Sequence, residues 1–187
     1  MRKETRVYNV YKFKELKKEI QDKVIEKLND INTDYEWWEY MFKDWTAKLE
    51  KLGYNDVKIY FNGFSSQGDG ACFTAQIDLL KWAKTHKLSA REIKAIDKGD
   101  ITGRITHNYG YYFSTSTNVD INSSNDNDYI NKTREKIEKM IVEEREELGD
   151  ELYRELKKEN DYLTSKEAII ETIEAYDYDF LEDGARF

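Results

Sequence analysis

The sequence predicts an α+β fold, with helices packed on a mostly antiparallel sheet of at least four strands. Three observations predict it. Several short segments alternate β-formers with polar residues, others repeat apolar residues at helical spacing, and a glycine-rich loop joins two strand-like runs that read as neighbours in a sheet. At 187 residues, 39% of them hydrophobic and 14% aromatic, the chain has enough length and apolar content for one domain, residues 1–187, with a real core.

"TRVYNVYKF", residues 5–13, alternates and reads as a strand; from Lys14 onward Leu16, Ile20, Val24, Leu28 and Ile31 recur at helical spacing. A second helix, "YEWWEYMFKDWTAKLEKLG", follows. Thr33 or Asp34 offers an N-cap oxygen, Trp38, Phe42, Trp45 and Leu49 fall on one face, and Gly53 supplies the stop. "DVKIYFNGF" and "ACFTAQIDL" read as strands joined by residues 63–70, which places that loop at a sheet end. "DLLKWAKTH" is a short helix, and "LSAREIKAIDKG" is another, opened by the capping-box spacing of Ser89 and Glu92. "GRITHNYGYYFSTSTNVDI" supplies one or two more strands, and "NSSNDND" is a loop.

From Asp128 to about Asn160 a charged helical stretch carries a narrow apolar seam of Ile130, Ile137, Ile141, Leu148, Leu152 and Leu156, with a break expected near Gly149. Thr164 or Ser165 caps "KEAIIETIEAY", and "YDYDFLEDGARF" ends in a hairpin-like Glu-Asp-Gly turn.

The stretch with the richest chemistry is "GFSSQGDGACF", residues 63–73. Glycines at 63, 68 and 70 permit positive φ and a close backbone approach, so the loop can present N–H groups to an anion. Ser65 and Ser66 add hydroxyls, Gln67 adds a donor and an acceptor, and Asp69 can accept from a ribose hydroxyl or hold a metal. With Gly68 and Gly70 these make the loop half of a ligand site. The same composition also describes a tight hairpin turn. It matches neither a P-loop nor a dinucleotide fingerprint.

"HNYGYYF", residues 107–113, offers His107, Tyr109 and Tyr111 to stack a base, and Trp37 is the tryptophan left over from its helix's core face. Aromatics alternating in a strand equally feed a core. A hydrolase reading would take Ser65, Ser66 or Cys72 as nucleophile, His107 as base and Asp69 as orienting group. Cys72, between Ala71 and Phe73, also reads as a small core residue. His86 closes a short helix, where a positive charge meets the helix dipole favourably.

Composition narrows the classes. The 38 acidic and 30 basic residues give a net charge of −8; residues 128–187 hold 19 of the acids and 10 of the bases, leaving 19 and 20 before them. The acidity is C-terminal. Such a balance argues against direct nucleic-acid binding, which needs clustered cations, while leaving room for an acidic face built from Glu143, Glu144, Glu146, Glu147 and Glu151. One cysteine rules out an intramolecular disulfide, and with two histidines a zinc site would need carboxylates as well, so structural zinc is not expected; no metal and no cofactor are expected. No run suits a membrane span or signal peptide, so a cytoplasmic protein is expected. A symmetric homodimer is the base-rate expectation for oligomeric state.

"VYNVYKFKELKKEIQDKVIEKL", the Trp-rich helix, "IYFNGFSSQGDGACF" and the terminal "YDFLEDGARF" together resemble small acidic bacteriophage proteins labelled hypothetical or antitoxin-like. The resemblance spans most of the chain, and the loop is its most distinctive part. It implies action in the cytoplasm of an infected bacterium, against host defence. One expected mode is non-catalytic sequestration of a small nucleotide-derived signal; another is an acidic surface that blocks a host defence protein, nucleic-acid enzyme or toxin; a third is hydrolysis of the signal.

Overall fold

The computed structural model describes residues 3–4, 7–99, 101–107, 110–125 and 127–187. Helices and an antiparallel sheet make up an α+β fold. The chain forms two compact units, Trp38–Lys157 and a second built from Met1–Trp37 with Lys158–Phe187.

In the second unit, β1 is only Tyr11–Lys12, followed by α1 at Lys18–Lys27, while α6 spans Lys166–Ala175 and β6 spans Asp179–Phe180. The strand expected over residues 5–13 is therefore short. Thr5 and Arg6 lie outside the described residues; among the rest of this stretch Tyr11 and Lys12 alone find a partner strand, pairing antiparallel with Phe180 and Asp179, and Val7 stays 91% exposed. Phe13, Val24, Ile25, Ile169, Ile173 and Phe180 fill this unit's own core. Ser165, not Thr164, caps α6, its hydroxyl accepting from the Ala168 N–H at 3.2 Å.

The Trp38–Lys157 unit carries the four-stranded sheet. Its elements are α2 (Glu39–Leu52), β2 (Tyr54–Asn62), β3 (Gly70–Ile77), α3 (Leu79–Thr85), α4 (Ala90–Lys98), β4 (Thr102–His107) and β5 (Thr117–Asn122). The strands run in the order β2-β3-β4-β5, all antiparallel. The β2–β3 hairpin places residues 63–69 at a sheet end, as expected; Asn62 pairs with Gly70 across its mouth. Helix α2 begins later than the caps at Thr33 and Asp34 suggest, with Trp38 at its N-cap, and it stops at Gly53 with φ +107°. A side chain there would lie 2.9 Å from the Trp82 backbone nitrogen. The capping box at Ser89 and Glu92 forms as its spacing predicts.

Helix α5 spans Asp128–Leu163 without the break expected at Gly149. Its apolar seam is buried as expected, with Ile137, Ile141, Leu152 and Leu156 all 0% exposed. Each is worth about 1.5–3 kcal/mol of hydrophobic stabilisation. Gly149 is a contact point, since an added Cβ would lie 2.7 Å from Ser114 Cβ and 3.2 Å from the Ala71 carbonyl oxygen. Gly149→Ala should therefore cost about 1–3 kcal/mol by overpacking, read in urea denaturation, despite alanine's better helix propensity.

Candidate functional site

Residues 63–69 close on themselves through Asp69. Its Oδ2 accepts from the backbone N–H groups of Ser65 and Ser66, both at 2.6 Å. The Asn62 side chain clasps the loop's far end, donating to the Gly68 carbonyl at 3.2 Å and accepting from the Gly70 N–H at 3.1 Å. Gly63 has φ +34°, and a Cβ there would sit 2.7 Å from the Asp69 carboxylate. The nest expected from glycines 63, 68 and 70 takes a different form: of the three only Gly63 has positive φ, and the converging N–H groups are those of Ser65 and Ser66, filled by the loop's own carboxylate. Ser65, Ser66 and Gln67 are exposed, Gly68 and Asp69 half-buried, and Gly70 buried.

The loop and the aromatic run converge. A Cβ on Gly68 would lie 3.7 Å from the Tyr111 ring, and one on Gly70 would lie 2.9 Å from Phe113 Cα. Tyr111 is 61% exposed and stacks on Phe113 with ring centroids 5.7 Å apart. Beside it Tyr60, His107 and Tyr112 form a trio of half-buried, nearly parallel rings. Their centroids are 5.4 Å (Tyr60–His107), 5.7 Å (Tyr60–Tyr112) and 5.1 Å (His107–Tyr112) apart, with planes within 18° of one another. Three roughly equal separations describe offset tiles rather than a linear stack. Such a surface suits a planar ligand. Tyr111, Tyr112 and Phe113 lie in the connection between β4 and β5, not in the strand that their alternation suggested; Tyr109 lies outside the described residues. Trp37, offered by the sequence as a surface ring, is 5% exposed and belongs to the other compact unit.

His107 Nε2–H donates to the Tyr111 carbonyl at 2.8 Å, tying the end of β4 to the residues that carry the exposed ring. The next residues are anchored from α5. Arg145, 5% exposed, donates from one guanidinium nitrogen to the Ser114 and Thr117 carbonyls, both at 2.7 Å, and from the other to Glu146 at 2.8 Å. Ser114 Oγ donates to Asp150 at 2.7 Å. The platform therefore rests on a short helical turn, Ser114–Ser116, held by charged groups of one helix. Arg145→Met should cost about 2–4 kcal/mol, because two buried carbonyls and the Glu146 carboxylate lose their donors.

Cys72 does not serve as a nucleophile in this geometry. It is 1% exposed, receives a 3.8 Å contact from the Ser116 hydroxyl, and burial pushes its thiol up to about 11. At pH 8 its thiolate fraction is on the order of one in a thousand. A thiol reagent at pH 8 should label native protein only at the rate of unfolding, and label urea-unfolded protein at once.

A second row of half-buried rings runs beside the loop. Phe64 stacks on both Phe61 and Tyr153 at 5.7 Å, and Trp38 and Phe42 meet Phe61 edge-on at 5.2 and 6.0 Å. Sequence reading singled out neither this row nor Tyr60 and Tyr112. Tyr60 lies in the alternating "KIYFN" of a strand, where its face depends on the pairing register. A polar hollow of about 430 Å³ elsewhere in this unit, lined in part by Asn122, Ser123 and Arg134, contains none of the residues the sequence pointed to.

The acidic stretch is used internally. Glu144 accepts from the Tyr54 hydroxyl and the Trp82 indole N–H, each at 2.6 Å, and its other oxygen lies 2.8 Å from His86 Nε2. His86 stands at the C-cap of α3, as expected, with its Nδ1 2.8 Å from the Trp82 carbonyl of the last turn, and its ring also stacks on Trp82. Burial first, then the Glu144 carboxylate, hold the Tyr54 hydroxyl far above the ordinary tyrosine range. Glu143 pairs with Lys139, Glu146 with Arg145 and Glu151 with Lys48. Among the described residues no three His, Cys, Asp or Glu side chains cluster as metal ligands, and no helix is long and apolar enough to cross a membrane.

Residues 37–166 match a family model described as a domain of unknown function, DUF8835. The chain belongs to the DUF8835 family. The match covers the whole Trp38–Lys157 unit, so the loop, the platform and its anchoring helix all lie within the DUF8835 domain, while residues 1–36 lie outside it. No curated protein and no solved structure matches the chain.

Proposed function

We propose that this DUF8835 protein is a non-catalytic binding protein that captures a small, planar, nucleotide-derived ligand. The observation that carries the reading is the approach of the 63–70 loop to the exposed Tyr111 ring, whose chain neighbour Tyr112 is one of the Tyr60, His107 and Tyr112 tiles. A base laid on those rings gains about 1–3 kcal/mol from stacking, roughly an eighth to a third of the free energy of micromolar affinity. The exposed Ser65, Ser66 and Gln67 side chains, next in the chain to the Gly68 that Tyr111 covers, supply the polar contacts. With the bacteriophage resemblance, the ligand is a host defence signal held in the cytoplasm of the infected cell.

An acidic decoy for a host nucleic-acid enzyme draws less support, because four of its five carboxylates are occupied by groups of their own unit. Calorimetric titration with the four ribonucleosides tests the platform. Saturable one-to-one binding of at least one is expected, and heat of dilution alone for all four would remove the platform from the account.

A further inference from the structure

We propose that Asp69 sets the ligand class at the loop end of the platform, admitting a neutral group that donates hydrogen bonds, such as a nucleoside sugar, and excluding a phosphate; this rests on the platform reading above. Two consecutive backbone N–H groups converging on one oxygen form the geometry that elsewhere binds phosphate. Here that oxygen is Asp69 Oδ2, 2.6 Å from each nitrogen.

A tethered carboxylate only three or four residues away acts at an effective concentration of about millimolar or above, so a free phosphate has to compete with it for the two N–H groups. Its negative charge also repels a second anion in the same place. What remains open to a ligand is acceptor capacity. Asp69 Oδ1 has no hydrogen-bond partner among the described residues. The Ser65 and Ser66 hydroxyls and the Gln67 amide are exposed beside it, and Tyr111 covers Gly68 next to them. Hydroxyl or amine donors fit that edge, and the platform takes the ring.

Inorganic phosphate is the first probe, titrated into ¹⁵N-labelled protein while the Ser65 and Ser66 amide resonances are followed. The wild type should show no saturable shift, whereas Asp69→Ala should show one at both amides. Phosphate shifts at these amides in the wild type would overturn the inference.

Adenosine and adenosine 5′-monophosphate are then compared by calorimetry. The monophosphate should bind the wild type at least about tenfold more weakly, and Asp69→Ala should shrink that gap. Asp69→Asn keeps an acceptor for the two N–H groups, and so the loop's fold, while removing the charge; it should relieve part of the penalty. A penalty unchanged in both variants, or equal binding of the two ligands by the wild type, overturns the role of Asp69 while leaving the platform standing. Absence of any nucleoside binding overturns the platform instead.

Discussion

Glu144→Ala should lower the unfolding free energy of the DUF8835 domain by about 3–5 kcal/mol, as much as truncating a fully buried aromatic residue. The side chain is 17% exposed and joins three elements, accepting from Tyr54 on β2 and from Trp82 on α3 while facing His86 at the end of α3. Tyr54 and Trp82 are both 0% exposed, so truncation leaves a buried hydroxyl and a buried indole N–H without their protein acceptor. Each such orphan costs about 1–3 kcal/mol.

Glu144→Gln separates shape from charge. Its amide oxygen can still accept from Tyr54 and Trp82, and its NH₂ can donate to His86 Nε2 once the ring proton sits on Nδ1, facing the Trp82 carbonyl. A loss of only about 1–2 kcal/mol is expected. Urea denaturation followed by far-ultraviolet circular dichroism measures both variants. Equal stability of wild type and Glu144→Ala would show that the cluster contributes nothing.

Tyr112→Ala should weaken nucleoside binding by about tenfold to a hundredfold, the largest functional effect expected. Tyr112 touches both other tiles, at 5.7 Å from Tyr60 and 5.1 Å from His107, so its removal takes away one ring of the surface and the support of two. Folding should suffer by only about 1 kcal/mol, because the ring is half-buried and gives up aromatic contacts rather than core volume. Tyr111→Ala is the cleaner control. That ring is 61% exposed, so affinity should fall while the unfolding midpoint stays put. Calorimetry and urea denaturation on the same preparations separate the two effects.

Much of the fold was legible because it rests on local pattern. The hairpin around residues 63–69, the capping box at Ser89 and the buried seam of α5 each follow from spacing within a few residues. The first strand was overextended because alternation states a preference and not a partner; β6 offers only two residues to pair with. The break expected at Gly149 was wrong for a related reason. Glycine there answers a neighbour 35 residues away in sequence, Ser114, rather than the helix itself.

The candidate site divides in the same way. The loop and the aromatic run were visible as compositions, but their meeting depends on the β4–β5 connection folding back over the hairpin. The inward turn of Glu144 was misread as part of an acidic face, although a signal was present. It lies seven residues after Ile137, three after Ile141 and four before Leu148, on the apolar stripe, and Arg145 shares that stripe. Charged residues on an apolar stripe need buried partners, and those partners, His86 and Tyr54, lie 58 and 90 residues away. Asp69 offered a similar signal, an aspartate three and four residues after two serines in a glycine-rich turn.

Native mass spectrometry of the protein purified from bacterial cells, beside Tyr112→Ala purified in parallel, tests the capture of a planar ligand most directly. The account predicts that the wild type carries a small molecule, released intact on denaturation and absorbing as a nucleobase does, and that the variant carries little or none. A wild type that is bare, or a molecule held equally by both proteins, would contradict it.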